Sequence, residues 1–201
     1  MYYVLDCGHA LTTPGKRSPD HQFFEYEYNR IIGRRVAERL NDLGVEYCFT
    51  YPIDEPYDLS LTSRANVANK VSMEKGAGNV LFISIHSNAA GNGKEWKNAR
   101  GWSVWTTKGE TKSDKYATLF FEEAEKICRK YGRTLRKDTS DGDPDLESNF
   151  TVIFKTICPS ILIEEFFYDN EEEMNWLLSE EGKTACTEII VNTIKRIEHI
   201  K

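Results

Sequence analysis

The chain has 201 residues, enough to bury one sizeable core, and ordinary domain sizes favour a single domain over 1–201. Its 40% hydrophobic and 29% charged residues exclude disordered and fibrous classes, and a formal net charge of −6 argues against a nucleic-acid partner, whose phosphates attract basic clusters. Cys7, Cys48, Cys128, Cys158 and Cys186 are scattered and form no Cys-x-x-Cys pair, so they are expected as reduced thiols.

The chain opens Met-Tyr-Tyr-Val-Leu and meets Asp6 at once, which is not the pattern of a secretory leader, so synthesis in the cytoplasm is expected. The apolar run from Val80 to Ile85 is far shorter than the ~20 residues needed to span a bilayer, and no membrane insertion is expected.

Tyr2 to Leu5 is a short β-prone run, and the loop after it carries Gly8, Pro14, Gly15 and Pro19. From Glu25 the apolar residues Ile31, Ile32, Val36, Leu40 and Leu43 follow a helical period, which Gly44 ends. Val45 to Phe49 reads as a second strand. Asp58 or Ser60 caps a helix through Leu61, Ala65, Ala68 and Val71 to Gly76.

Val80 to Ile83 is apolar on both faces, as in a central parallel strand covered by helices, and His86 lies just past its carboxyl end. Trp102 to Thr106 alternates like a more exposed strand, and Ser113 opens a helix that places Tyr116, Leu119, Phe120, Ala124 and Ile127 inward up to Gly132. Arg136 to Asn149 is a long polar loop. Phe150 to Phe154 and Ser160 to Ile163 read as strands, and Glu171 to Lys201 as helix, with Gly182 a possible interruption. The alternation predicts one α/β domain with a largely parallel central sheet flanked by helices on both faces.

Open α/β sheets gather ligands beyond the carboxyl ends of their strands. Three strands here run into His9, His86 and Glu164, and Glu25, at the start of the first helix, belongs at the same edge. Two histidines and a carboxylate with an open fourth position form a catalytic zinc set, and a further carboxylate serves as general base. Elsewhere, His21 and His199 read as surface residues, and Arg64 and Asn69 as braces for the loops around the site. Trp96, Trp102 and Trp105 read as core rather than as the lining of a sugar groove.

The motifs Asp6-Cys7-Gly8-His9, Thr13-Pro14-Gly15-Lys16-Arg17, Glu25 with Asn29, Arg64 with Asn69, Ser84 to Ala89, and Pro159 through Glu164 to Phe167 and Asn170 resemble, in order, those of the zinc-dependent N-acetylmuramoyl-L-alanine amidases. The Gly101-Trp102 segment and Asp141-Gly142-Asp143 ahead of Asn149-Phe150 are similar to the phage and prophage lysin branch. The resemblance implies one zinc ion held by His9, Glu25 and His86, Glu164 as the catalytic residue, and peptidoglycan as substrate. Glu27 is the alternative ligand in the same helical turn. Ala10 stands where many members have glycine, and Glu165 where an uncharged residue is usual; strand alternation sends Glu164 and Glu165 to opposite faces. Another zinc hydrolase, a peptidase or deacetylase, is the first rival, and a metal-free wall-binding module the second.

Overall fold

The structure is a computed structural model and describes residues 1–200. Strand β1 (Tyr2–Cys7) is buried along nearly all its length, so both its faces must be covered. Helix α1 (Glu25–Asp42) follows the long loop, then strand β2 (Tyr47–Phe49) and helix α2 (Leu61–Lys75). Ser60, not Asp58, caps α2, its hydroxyl accepting the Ser63 amide. Strand β3 (Val80–Asn88) is the longest, and it runs on through His86 rather than stopping before it.

Strand β4 (Ser103–Thr106) leads to helix α3 (Asp114–Tyr131), which Gly132 ends in the left-handed conformation. Strand β5 (Leu146–Glu147), helix α4 (Thr151–Phe154), strand β6 (Ser160–Phe167) and helices α5 (Glu171–Leu178) and α6 (Glu180–Ile197) complete the chain.

The six strands lie in the order β2-β1-β3-β6-β4-β5. All neighbouring pairs are parallel except β4 with β6, which are antiparallel. Side-chain alternation splits the sheet into two cores. Leu5, Ile83, Ile161 and Ile163 face α1, α3, α5 and α6, whose buried residues include Ile32, Val36, Phe120, Ile190 and Ile194. Val4, Phe82 and Leu162 face α2 and α4 through Ala68, Val152 and Ile153. Burying apolar surface on both faces at ~25 cal/mol per Å² is the main favourable term for such a domain. Among the described residues no helix is long and apolar enough to cross a membrane, and all five cysteines are free thiols.

Two expected elements differ. Phe150 to Phe154 is not a strand: the Phe150 carbonyl accepts from the Ile153 and Phe154 amides, and the resulting turn of helix delivers Val152 and Ile153 to the second core. The place beside β4 is already taken by β5, and beyond it β5 offers an edge of only two residues. The C-terminal helix is interrupted at Ser179, whose hydroxyl accepts from the Gly182 amide and caps α6, and not at Gly182 itself. A Cβ at Gly182 would lie 2.1 Å from the Trp176 carbonyl oxygen, so glycine is what lets α6 start against the end of α5.

That overlap decides the sign of a substitution. Alanine gains ~0.5–1 kcal/mol over glycine from helix propensity, while forcing extra atoms into a packed site costs ~1–3 kcal/mol. Gly182→Ala is therefore expected to lower the stability measured by urea unfolding, and a variant as stable as wild type would show that α5 and α6 can separate freely.

Candidate active site

Position and strain begin with Gly8-His9. A Cβ at Gly8 would lie 2.2 Å from the His86 ring, so only glycine lets that ring rest on the backbone. His9 itself takes the left-handed conformation at φ 65°. Ala10 has no positive φ, so its lack of glycine's freedom is without consequence: the turn's unusual residue is His9.

The turn is held from below by Arg64, 1% exposed. Its Nη1 donates to the Asp6 carboxylate (2.8 Å) and the Cys7 carbonyl (2.7 Å), while Nη2 donates to Asp58 (2.6 Å) and the Tyr51 hydroxyl (3.0 Å). The Tyr51 hydroxyl in turn donates to the His9 carbonyl at 2.7 Å. Asp6 also accepts from Thr50 and Ser84, which ties β1 to the β2 loop and to β3. Asn69 joins α2 to the segment after α4 through the Lys155 carbonyl and the Ile157 amide. Neither Arg64 nor Asn69 lines the groove described below. In the sequence Asp6 stands out only within the first-histidine motif and Asp58 only as a candidate cap, and neither of them, nor Tyr51, is tied there to Arg64; a buried arginine's need for an acidic partner is the available signal.

His9, Glu25 and His86 meet at the carboxyl edge of the sheet. Glu25 Oε1 lies 3.3 Å from His9 Nε2 and 3.1 Å from His86 Nδ1, and it accepts the Ser87 amide at 3.3 Å. Glu25 Oε2 and His9 Nε2 are buried with no properly directed hydrogen-bond partner. Among the described residues these three form the one group of three His, Cys, Asp or Glu side chains whose ligand atoms lie within 4.8 Å of one another. Two ring nitrogens and a carboxylate, with orphaned polar atoms turned inward, fit a divalent transition metal such as zinc.

Electrostatics agree with that fit. Burial holds the His9 imidazole below its ordinary pKa, against the pull of Glu25, so it is neutral and able to ligate. Burial alone would raise Glu25, but hydrogen bonds to His86 and His9 outweigh it and hold the carboxyl well below the usual range. Glu27 is exposed and Glu25 buried, so the helix turn offers only Glu25 to the cluster. Asn29 anchors that turn by donating to the Gly8 carbonyl at 3.1 Å.

Glu164 faces the cluster from β6, paired in register with His86 on β3. Two hollows adjoin there. One of about 400 Å³ has Pro14, Asn88, Asn92 and Tyr168 in its wall. Another of about 340 Å³ is walled by His9, His86, Leu61, Phe150, Val152 and Leu162. Lys16 and Glu164 border both, and Lys16 Nζ reaches to 3.7 Å from Glu25. Among the protein groups alone, burial and then the charge of Glu25 push the Glu164 carboxyl well above its ordinary pKa; a cation at the three ligands would act the other way and favour the ionised base.

Glu165 points to the opposite face, as alternation requires, and is buried near Tyr28 and Cys186 with neither oxygen hydrogen-bonded. The strand then bulges: Phe166 has φ 59°, and the register with β3 shifts between His86 and Asn88. His21 and His199 are exposed. Trp102 is fully buried, Trp96 packs against the larger core, and Trp105 lies on the Phe150 ring at 5.4 Å, so the tryptophans are packing residues.

With this geometry in place, comparison with known proteins is informative. Residues 4–196 match the sequence profile of N-acetylmuramoyl-L-alanine amidase. The chain belongs to that family. Family membership makes it an amidase-class hydrolase of the cell wall. A search of curated proteins finds no match. Among solved structures, an N-acetylmuramoyl-L-alanine amidase from Clostridium difficile 630 superposes with TM-score 0.80 at 23% identity, covering 100% of this chain and 97% of that one. The catalytic domain of the amidase CwlV from Bacillus (Paenibacillus) polymyxa gives 0.79 at 22% identity, covering 100% and 99%. The catalytic domain of the CD27L endolysin gives 0.64 at 18% identity, covering 98% and 97%. At these identities the structures show a shared fold.

Two outcomes follow from the site. Glu25→Ala should abolish tight zinc binding measured by metal analysis after dialysis, while Glu27→Ala should leave it at the wild-type level; the reverse pattern would exchange their roles. Glu165 has its pKa raised by burial, then by Glu164, so the unfolded chain loses this proton at lower pH than the folded one. The ionisation penalty of its burial is therefore absent below the ordinary carboxyl pKa and grows above it, levelling off once the pH exceeds the raised folded-state pKa. Glu165→Leu should raise the melting temperature at pH 7 by more than at pH 4, and a pH-independent difference would contradict the neutral buried carboxyl.

Proposed function

We propose that the chain is a zinc-dependent N-acetylmuramoyl-L-alanine amidase that hydrolyses the amide between N-acetylmuramic acid and L-alanine in peptidoglycan. The observation that carries this reading is the meeting of His9, Glu25 and His86 opposite Glu164 in one groove, in a chain of the amidase family. His9 through Nε2, His86 through Nδ1 and Glu25 would hold the metal. A zinc ion there would supply Lewis acidity, able to acidify water toward a pKa of about 7 and to polarise the lactyl carbonyl.

Glu164 has its Oε2 without a partner and lies at the mouth shared by both hollows. It takes a proton from water, the resulting hydroxide oxygen bonds to the lactyl carbonyl carbon, and the carbon–nitrogen bond breaks. Glu164 returns the proton to the departing L-alanine nitrogen, leaving an acid and an amine. The neighbouring Lys16 ammonium favours the carboxylate form of Glu164, the form needed to accept the first proton and regenerated when the second transfer is complete. The Gly101-Trp102 segment and Asp141-Gly142-Asp143 ahead of Asn149-Phe150 support placement in the phage or prophage lysin branch, with access to the wall through a separate membrane lesion.

Digestion of purified peptidoglycan with mass spectrometry of the products tests the reading: free L-alanine amino groups should appear, without new reducing ends or acetate, and a chelator should stop the reaction until zinc is returned. General acid–base catalysis contributes ~10²–10⁴-fold, and Glu164→Gln should lose about that factor in rate while keeping its zinc and its fold. A zinc-loaded Glu164→Gln protein cleaving at the wild-type rate would remove this residue from the mechanism.

A further inference from the structure

The long loop between α3 and α4 contains acidic residues at alternate positions: Asp141, Asp143, Asp145 and Glu147. Glu110, in the connection after β4, and Asp114, at the start of α3, face it, and Asp141, Asp143, Glu147, Glu110 and Asp114 line a hollow of about 190 Å³. Among the described residues none of these carboxylates is in an ion pair with lysine, arginine or histidine, whereas Glu95, Glu122, Glu123 and Glu172 each have one. Exposed acids of this kind are ordinarily just solvated.

Asp145 is different, being 2% exposed. Its Oδ2 accepts from the Thr106 hydroxyl at 2.6 Å, but its Oδ1 is buried without a partner. The group within hydrogen-bonding reach is another carboxyl, that of Asp143, whose own Oδ1 is also buried and unpartnered. Two carboxyls brought together away from water repel unless a proton or a cation stands between them. Burial first, then the Asp143 carboxyl, push the Asp145 pKa well above its ordinary value, the expected response when no cation is present.

The donors decide which cation suits the pair. All are carboxylate oxygens with no nitrogen or sulfur, so a hard ion is favoured over zinc. Only two carboxyls meet closely, so water and the outer acids must complete the shell. Calcium, with its variable coordination, tolerates that better than magnesium, which demands a near-ideal octahedron.

We propose that Asp143 and Asp145 bind a calcium ion distinct from the metal of the active site, and that the ion fixes the loop leading into the substrate groove. The coupling is short. Leu146 and Glu147 pair with β4, the Ser148 amide donates to the Thr106 carbonyl, and the next residues, Asn149 and Phe150, form part of the groove wall. Thr106, which holds Asp145 through its hydroxyl, thus also holds the strand that positions that wall. The inference does not depend on the amidase reading, because none of these residues touches the reacting groups.

The test uses the full chain with its zinc in place, in resin-treated buffer, titrated with CaCl2 and in parallel with MgCl2. Isothermal titration calorimetry should give saturable calcium binding, with a dissociation constant on the order of 10⁻⁴ M as in weak protein calcium sites. At a hundredfold excess over that constant the melting temperature should rise by roughly 5 °C or more. Asp143→Asn and Asp145→Asn, shown folded by circular dichroism, should lose both the heat and the shift while retaining wild-type zinc content. If the buried Asp145→Asn fails to fold, the half-buried Asp143→Asn decides. Wild-type protein with neither heat nor shift up to about 10 mM CaCl2, well above the weak-site range, would overturn the proposal, as would undiminished binding in the variants. An equal response to MgCl2 would overturn the choice of calcium.

Discussion

Beneath the loop that ends in His9, the guanidinium of Arg64 and the carboxylate of Asp6 form an ion pair with both side chains about 1% exposed. Pairs this deeply buried are poor stabilisers, because desolvation offsets most of their attraction, yet removing one partner costs ~3–5 kcal/mol through the charge left behind. The pair therefore matters for geometry. It reaches Thr50, Ser84, Tyr51 and Asp58, and so connects β1, β3, the β2 loop and the approach to α2 beneath the turn that carries His9. A histidine at φ 65° is a conformation that free chains avoid, and it persists where surrounding bonds over-determine it. Without that underpinning, His9 would have no reason to meet His86, whose own position is set by a nine-residue strand.

The groove that results is unequal at its two ends. Asparagines and backbone-rich glycine segments border one hollow, while Leu61, Phe150, Val152 and Leu162 border the other. Lys16 and Glu164 stand at the junction. A substrate bond cut between two chemically different arms suits such a division, because each arm then has one end of the groove that solvates it better. Lys16 also occupies a left-handed backbone position, at φ 53°, and its carbonyl accepts the Glu25 amide, so the residue that divides the groove helps to start the helix that carries Glu25.

Much of this arrangement was legible from the chain. Val80 to Ile83 announced a central strand because it is apolar on both faces, and a parallel sheet then dictated that His9, His86 and Glu164 share an edge. Glu25 was legible from its place at the start of a periodic helix, although only its burial separates it from Glu27. Phe150 to Phe154 was misread because five β-prone residues carry no record of whether a sheet edge remains for them to join. The interruption of the last helix was misplaced for a similar reason: glycine breaks helices by propensity, but at Gly182 it serves contact with the Trp176 carbonyl. The Arg64 network was beyond the reach of periodicity, since its members come from five separate segments. Nor could alternation foresee the bulge at Phe166, which ends the alternating pattern two residues after Glu164.

The sheet is finished at both sides by very short strands, three residues in β2 and two in β5. Their brevity follows from the same loops that shape the groove, yet it bears on how the molecule behaves toward its own copies. A long bare strand offers a row of unpaired amides and carbonyls on which a second chain can dock and propagate. Here the longest and most apolar strands, β3 and β6, are interior to the sheet, and what faces outward is too brief to template another strand. A domain with a strongly apolar centre is in this way kept from growing its sheet into a neighbouring molecule.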